Sequence, residues 1–199
     1  MELYLIRHGE STWNKSDRVQ GQSNPYLTER GKKQAELLKN RLSFLSFDFI
    51  YSSPLKRAYD TARIAMNGKK IIKDKRISEI NLGEWEGKKA KSLFQKSPEF
   101  RDWFERTSEI TPRNGESLFE FKDRVVSFFN EIIENGRENE RGVIFTHSGV
   151  IGIFLAHLLG MNLNKVWSIP SSNGSITIIK INPVLLILTF NDTCHLMDI

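Results

Sequence analysis

Leu3-Tyr4-Leu5-Ile6-Arg7-His8-Gly9 is an apolar run that ends on two basic residues and a glycine. Four consecutive apolar side chains predict a buried strand, and the glycine marks the turn by which the chain leaves it. His8 is thereby presented at a strand exit with Arg7 before it. The pair suits phosphate chemistry. An imidazole attacks phosphorus as the neutral base, and a neighbouring guanidinium disfavours a second positive charge on it. The same guanidinium can clamp phosphoryl oxygens through two parallel hydrogen bonds.

Outward from this strand, strand-like and helix-like segments alternate for most of the 199 residues, the pattern of an α/β layered domain with a mainly parallel sheet. After a polar loop through Gln20, Gly21, Gln22 and Asn24-Pro25, Thr28 is placed as the N-cap of a helix with Ala35, Leu38 and Leu42 on one face. Phe49-Ile50-Tyr51 predicts a second strand. Ser53-Pro54 reads as a cap followed by proline at the first helical residue, which puts Arg57 in the first turn of the next helix. Ile71-Ile72 predicts a third strand. Residues 88–112 are expected to form a helical lid, two short helices broken at Ser97-Pro98. Its Phe100, Trp103 and Phe104 share one face and would pack on the body or cover a substrate. Ser117 and Glu120 fit a capping box that opens a helix through Leu118, Phe121, Val125, Phe128 and Ile132. Val143-Ile144-Phe145 then delivers Thr146-His147-Ser148-Gly149 to a strand exit. A terminal hairpin is expected from 175–181 and 185–190 about Asn182-Pro183.

The bulk numbers narrow the classes. One domain spanning 1–199 is the expectation for this length. Hydrophobic content of 39% with 27% charged residues is ordinary for a globular chain and argues against disorder. The longest apolar run, Val184 to Leu188, is too short to span a bilayer, and the start lacks the marks of a secretory leader, so no membrane partner is expected. Cys194 is the only cysteine; it is read as structural, and a reducing cytoplasm is the expected location. The net charge of +5 favours anionic ligands. Lys69, Lys70, Lys73, Lys75 and Arg76 are read as a solvated strand and its turns; with no aromatic platform among them, no nucleic-acid partner is expected. The four histidines lack metal-ligand spacing, and the Walker-type phosphate loop is absent, so no metal and no cofactor are expected.

Ligands of open α/β sheets bind beyond the carboxyl ends of the strands, where this layout places Arg7 with His8, Arg57, and His147. The ordered set Arg7-His8-Gly9-Glu10-Ser11-Thr12-Trp13-Asn14, Ser52-Ser53-Pro54-Leu55-Lys56-Arg57-Ala58, Glu79 ahead of Gly83-Glu84-Trp85-Glu86-Gly87, Gly115-Glu116-Ser117 and Thr146-His147-Ser148-Gly149 resembles the histidine phosphatase superfamily, also called the phosphoglycerate-mutase-like family. The resemblance runs from residue 3 to about residue 196. It implies a three-layer α/β/α sandwich, a mainly parallel sheet with an antiparallel edge, and a helical insertion.

It also implies roles. His8 is expected as the nucleophile that forms a phosphohistidine, with Arg7, Arg57 and His147 on the equatorial oxygens. Glu79 is expected as the proton donor and then the base, in preference to Glu84 and Glu86. Asn14 matches a phosphate contact. Ser11, Gln20, Gly21, Leu82 and Trp85 are expected substrate contacts. His157 is read as a packed or surface residue, and His195 receives no catalytic task.

The compact stretch Asn81 to Gly87 is similar to the phosphatase branch rather than to the cofactor-dependent mutases. Within that branch the chain resembles α-ribazole, broad-specificity and metal-independent phosphoserine phosphatases. Leu82 stands where the phosphoserine-specific members carry a histidine. The expectation is therefore a metal-independent phosphomonoester hydrolase acting on a small phosphorylated metabolite, such as α-ribazole phosphate or a broad range of monoesters. A phosphoserine phosphatase, a cofactor-dependent phosphoglycerate mutase and a phosphate-binding regulatory module are the alternatives. Family members are often homodimers, and the same is expected here.

Overall fold

The computed structural model describes residues 1–181, 184–197 and 199. The chain runs β1 (Glu2–Arg7), α1 (Thr12–Lys15), α2 (Glu29–Leu42), β2 (Phe49–Ser52), α3 (Lys56–Ala65), β3 (Ile72–Lys73), α4 (Ala90–Lys96), α5 (Pro98–Glu105), α6 (Leu118–Asn135), β4 (Arg141–Thr146), α7 (Ser148–Leu158), β5 (Ile176–Lys180) and β6 (Leu186–Asp192). Six strands form one sheet in the order β3-β2-β4-β1-β5-β6. The first four are mutually parallel, while β5 and β6 close one side as an antiparallel edge.

Side-chain alternation along β1 divides the core into two layers. Tyr4 and Ile6 face Leu38, Leu42, Ala62 and Ala65 of α2 and α3. Leu3 and Leu5 face the other way, into Phe121, Phe128, Phe129 and Phe154 of α6 and α7. Helices therefore cover both faces, as a buried parallel sheet requires.

Local chemistry sets most helix starts. Thr28 accepts the Gly31 N–H and caps α2, and Ser97 caps α5 with Pro98 at its first position. Ser117 and Glu120 close a reciprocal capping box on α6; replacing such a cap with alanine typically costs about 1 kcal/mol. The first turn of α3 departs from expectation. The helix begins at Lys56 with Leu55 in the cap position, so Ser53 is not its cap. The Ser53 hydroxyl is taken by the Leu55 N–H and by the ring of His147. Arg57 still falls in the first turn. The third strand lies one residue later than expected, at Ile72–Lys73, and the loop Asn182-Pro183 of the expected hairpin is outside the described residues. Cys194 is exposed rather than built into the core, and His157 is exposed as well. Among the described residues, no helix is long and apolar enough to cross a membrane.

Strand register decides where the chemistry can be. Arg7 pairs with Thr146, and Ser52 pairs with Phe145, so β1, β4 and β2 end side by side. Their next residues, His8, His147 and Ser53, emerge at one edge of the sheet.

Candidate active site

His8 is almost wholly buried at the exit of β1. Its Nδ1 lies 2.7 Å from the carbonyl oxygen of Gly9, which can only accept, so Nδ1 carries the proton. Its Nε2 faces the Nε–H of Arg57 at 3.1 Å, which can only donate, so Nε2 holds the lone pair. Two hydrogen bonds thus set both tautomer and ring direction. Burial, then Arg57, then Arg7 depress the His8 pKa well below 6.5, which keeps the ring neutral. The backbone beneath it is held by the Gly9 N–H on the Thr61 hydroxyl and by the Asn173 amide on the His8 carbonyl.

Arg57 is a fully buried guanidinium. Its two terminal nitrogens donate to the carbonyls of Ser23 and Gly21, each at 2.8 Å. Burial lowers its pKa to about 10, against the opposing pull of Glu79, so it stays charged at neutral pH. Arg7 is held through the Ser171 carbonyl, while its buried Nε has no partner among the described residues. His147 stands between β4 and α7, its Nε2 2.8 Å from the Ser53 hydroxyl, with its ring centre 5.2 Å from that of His8. Its pKa too is depressed, by burial first and then by Arg57.

Glu79 reaches the same place from the loop that follows β3. One carboxylate oxygen accepts the Ile80 N–H at 3.0 Å, and the other accepts the Gly149 N–H at 3.2 Å in the first turn of α7. The nearby acids are committed elsewhere. Glu86 accepts the N–H groups of Gln22, Leu82 and Ser23 and the Ser23 hydroxyl, and Glu84 pairs with Arg113 at the surface.

A model described as the histidine phosphatase superfamily (branch 1) matches residues 3–192. The chain belongs to that superfamily. It is 40% identical to phosphoserine phosphatase 1 of Hydrogenobacter thermophilus over 98% of this chain and 94% of that one. It is 32% identical to the adenosylcobalamin/alpha-ribazole phosphatase of Escherichia coli, covering 92% and 91%. The solved structure of Bacillus stearothermophilus YhfR superposes with a TM-score of 0.89 at 33% identity, covering 98% of both chains. The family and its phosphatase relatives make this chain a phosphatase.

In this histidine phosphatase, Arg7, His8, Arg57 and Glu79 open onto one cavity of about 220 Å³. Gln20, Gly21 and Leu82 line it as well, together with Val19, Ile80, Ala90, Phe94, Phe100, Trp103, Phe104 and Trp167. Larger hollows lie between α2 and α3, beside Ser171–Asn173 and beside Phe49 and Tyr51, but His8 lines none of these.

Four expected contacts are placed differently. Trp85 is not in the cavity wall; it stands behind it, edge-on to Phe100 and Trp103. Ser11 is fully buried and consumed by the cap of α1, bonding to Asn14 and Gln20. Asn14 gives its side-chain oxygen to the Ser11 backbone and to Asn173, so only its amide nitrogen is left to offer a ligand. His147 also lies beneath the cavity rather than in its wall. Trp167 was invisible to sequence reasoning. It comes from the short 3₁₀ helix Leu163–Ser168, which carries no motif, and reaches the wall by packing against Trp103 with 4.8 Å between ring centres.

Proposed function

We propose that this phosphatase is a metal-independent phosphomonoesterase that works through a phosphohistidine and prefers leaving groups with a large apolar or aromatic part. The observation that carries this reading is the lone pair of His8 Nε2, directed by two hydrogen bonds at a site whose other groups are two guanidiniums and one carboxyl.

His8 Nε2 attacks phosphorus in line while the bond to the leaving oxygen breaks. Glu79 gives that oxygen its proton. The Arg57 Nε–H, which otherwise donates to that lone pair, turns to a phosphoryl oxygen, a better acceptor because it is charged. Arg7, whose buried Nε has no partner among the described residues, supplies a second fork. The Asn14 amide nitrogen, and from beneath the cavity the Nδ1 of His147, which has no partner among the described residues, are the remaining donors that family membership suggests for the equatorial oxygens. In the second half, water attacks phosphorus, the nitrogen–phosphorus bond breaks, Glu79 takes the water proton, and phosphate leaves. The charge that develops is met by arginines fixed in place beforehand, as electrostatic catalysis of phosphoryl transfer demands.

The cavity beyond this set supports the choice of substrate. A phosphoserine relative at 40% identity invites that substrate, yet its ammonium and carboxylate would lie among Leu82, Phe94, Phe100, Trp103, Phe104 and Trp167, with the uncharged Gln20 amide beside them. Unpaired charges in such a place are costly. An aromatic or nucleoside-like alcohol instead gains by burial and edge-to-face contact.

The test is hydrolysis of p-nitrophenyl phosphate with a chelator present, followed by a panel of phosphoserine, α-ribazole phosphate, naphthyl phosphate, sugar phosphates and nucleotides. Turnover that survives chelation, disappears in His8→Ala and favours ring-bearing esters is expected. Activity restored only by added metal, or a preference for phosphoserine, would overturn the respective part.

A further inference from the structure

Gly115-Glu116-Ser117 belongs to the motif set, yet the chemistry above gives Glu116 no task. We infer that Arg124 and Glu116 form a positioning pair that aims Glu79 at the leaving oxygen, an inference that rests on Glu79 being the acid.

Arg124 projects from the second turn of α6 over the ring of Phe121. A guanidinium has five N–H donors, and the structure finds an acceptor for each. Its Nε and one terminal nitrogen fork onto the Glu116 carboxylate at 2.6 and 2.8 Å. The remaining three hydrogens meet the backbone carbonyls of Arg76, Ser78 and Glu79 at 2.7, 2.7 and 2.9 Å. Glu116 extends the clamp: its carboxylate accepts the Asn81 N–H at 3.1 Å, and its own N–H donates to the Asn81 carbonyl at 2.9 Å.

The loop from Arg76 to Asn81 has almost no secondary structure of its own around Glu79, so these bonds replace it. Buried Ile77 and Ile80 anchor it on either side of Glu79, and the Thr146 hydroxyl holds the Ile77 carbonyl. Glu79 is thus pinned at its own carbonyl, and only its side chain enters the cavity. Neither Arg124 nor Glu116 lines that cavity, so neither touches substrate. A lysine at 124 would keep the charge and lose the fork, because one ammonium cannot span a carboxylate and three carbonyls.

General acid catalysis matters most when the leaving oxygen is basic. The discriminating readout is therefore kcat/KM on two esters of similar size, benzyl phosphate, whose alkoxide needs a proton, and dinitrophenyl phosphate, whose phenolate does not. Since positioned acids contribute roughly a hundredfold or more, Glu79→Gln is expected to lose about that factor on benzyl phosphate and little on dinitrophenyl phosphate. Arg124→Lys and Glu116→Gln are expected to follow the same selective pattern, each by about tenfold or more. Val125→Ala, a core truncation on the same helix, should slow both esters alike or neither. If Arg124→Lys does not fold, Glu116→Gln decides by the same comparison. Equal losses on both esters in the Arg124 and Glu116 variants, or no loss, would overturn the inference while leaving Glu79 as the acid. A Glu79→Gln variant without selectivity would remove the reading of Glu79 and this inference with it.

Discussion

Glu79 and Gly149 are joined across the site: the Gly149 N–H donates to one carboxylate oxygen of Glu79 at 3.2 Å, and a Cβ at position 149 would collide with the other oxygen. Glycine is needed here for close approach, since a side chain would occupy the space of the carboxyl. Gly149→Ala is expected to keep the fold and to lower kcat/KM by about tenfold or more on esters with basic leaving groups. Steady-state kinetics on benzyl phosphate, with circular dichroism as the control, checks it; unchanged activity would refute the packing argument.

The buried imidazoles make stability depend on pH in a definite direction. His8 and His147 are both depressed well below 6.5, by burial first and Arg57 next. As pH falls through that value, the unfolded chain takes up protons at both while the folded chain does not. Stability is therefore full above it and declines toward the lower folded values. Each histidine contributes a slope of about 1.4 kcal/mol per pH unit within that window. Thermal melts across this range should show Tm falling on acidification, with a shallower fall in His8→Gln. Histidine NMR should find His8 as the Nδ1–H tautomer; the opposite tautomer would contradict the assigned nucleophile.

Arg57 holds His8 Nε2, Ser23 and Gly21 at once through a planar fork. Arg57→Lys is expected to retain the charge yet lose about a hundredfold in kcat/KM or more, the usual scale for one missing transition-state donor. A loss under threefold would show that charge alone suffices.

The apolar wall predicts a change of preference rather than a loss of chemistry. Trp103→Ala should raise KM for naphthyl phosphate several-fold and barely affect ethyl phosphate, because only the former fills the cavity. Leu82→His would place a donor beside the leaving group and should shift the kcat/KM ratio toward phosphoserine. A ratio that does not move would detach Leu82 from substrate choice.

Much of the fold was legible because its signals are local. Thr28, Ser97 and Ser117 cap helices through hydroxyls that reach only three residues along the chain, and Leu3 to Ile6 reads as a buried strand whatever surrounds it. Ser53 shows where such reasoning stops. Its neighbour proline suggests a helix cap, but the hydroxyl is bonded to His147, ninety-four positions later. Trp85 and Trp167 show the same limit. One is aromatic beside the motif yet stands a layer back; the other belongs to no motif and lines the cavity.

Residue types and their order along the chain were enough to establish the α/β class, the strand that presents His8, and membership of the histidine phosphatase superfamily. Which nitrogen of His8 carries the proton, which of three neighbouring glutamates faces it, and what walls the leaving-group space were decided by tertiary structure alone. The division follows from range. Periodicity and caps act over a few residues, whereas a lone pair's direction depends on acceptors and donors that the folded sheet brings together from distant parts of the chain.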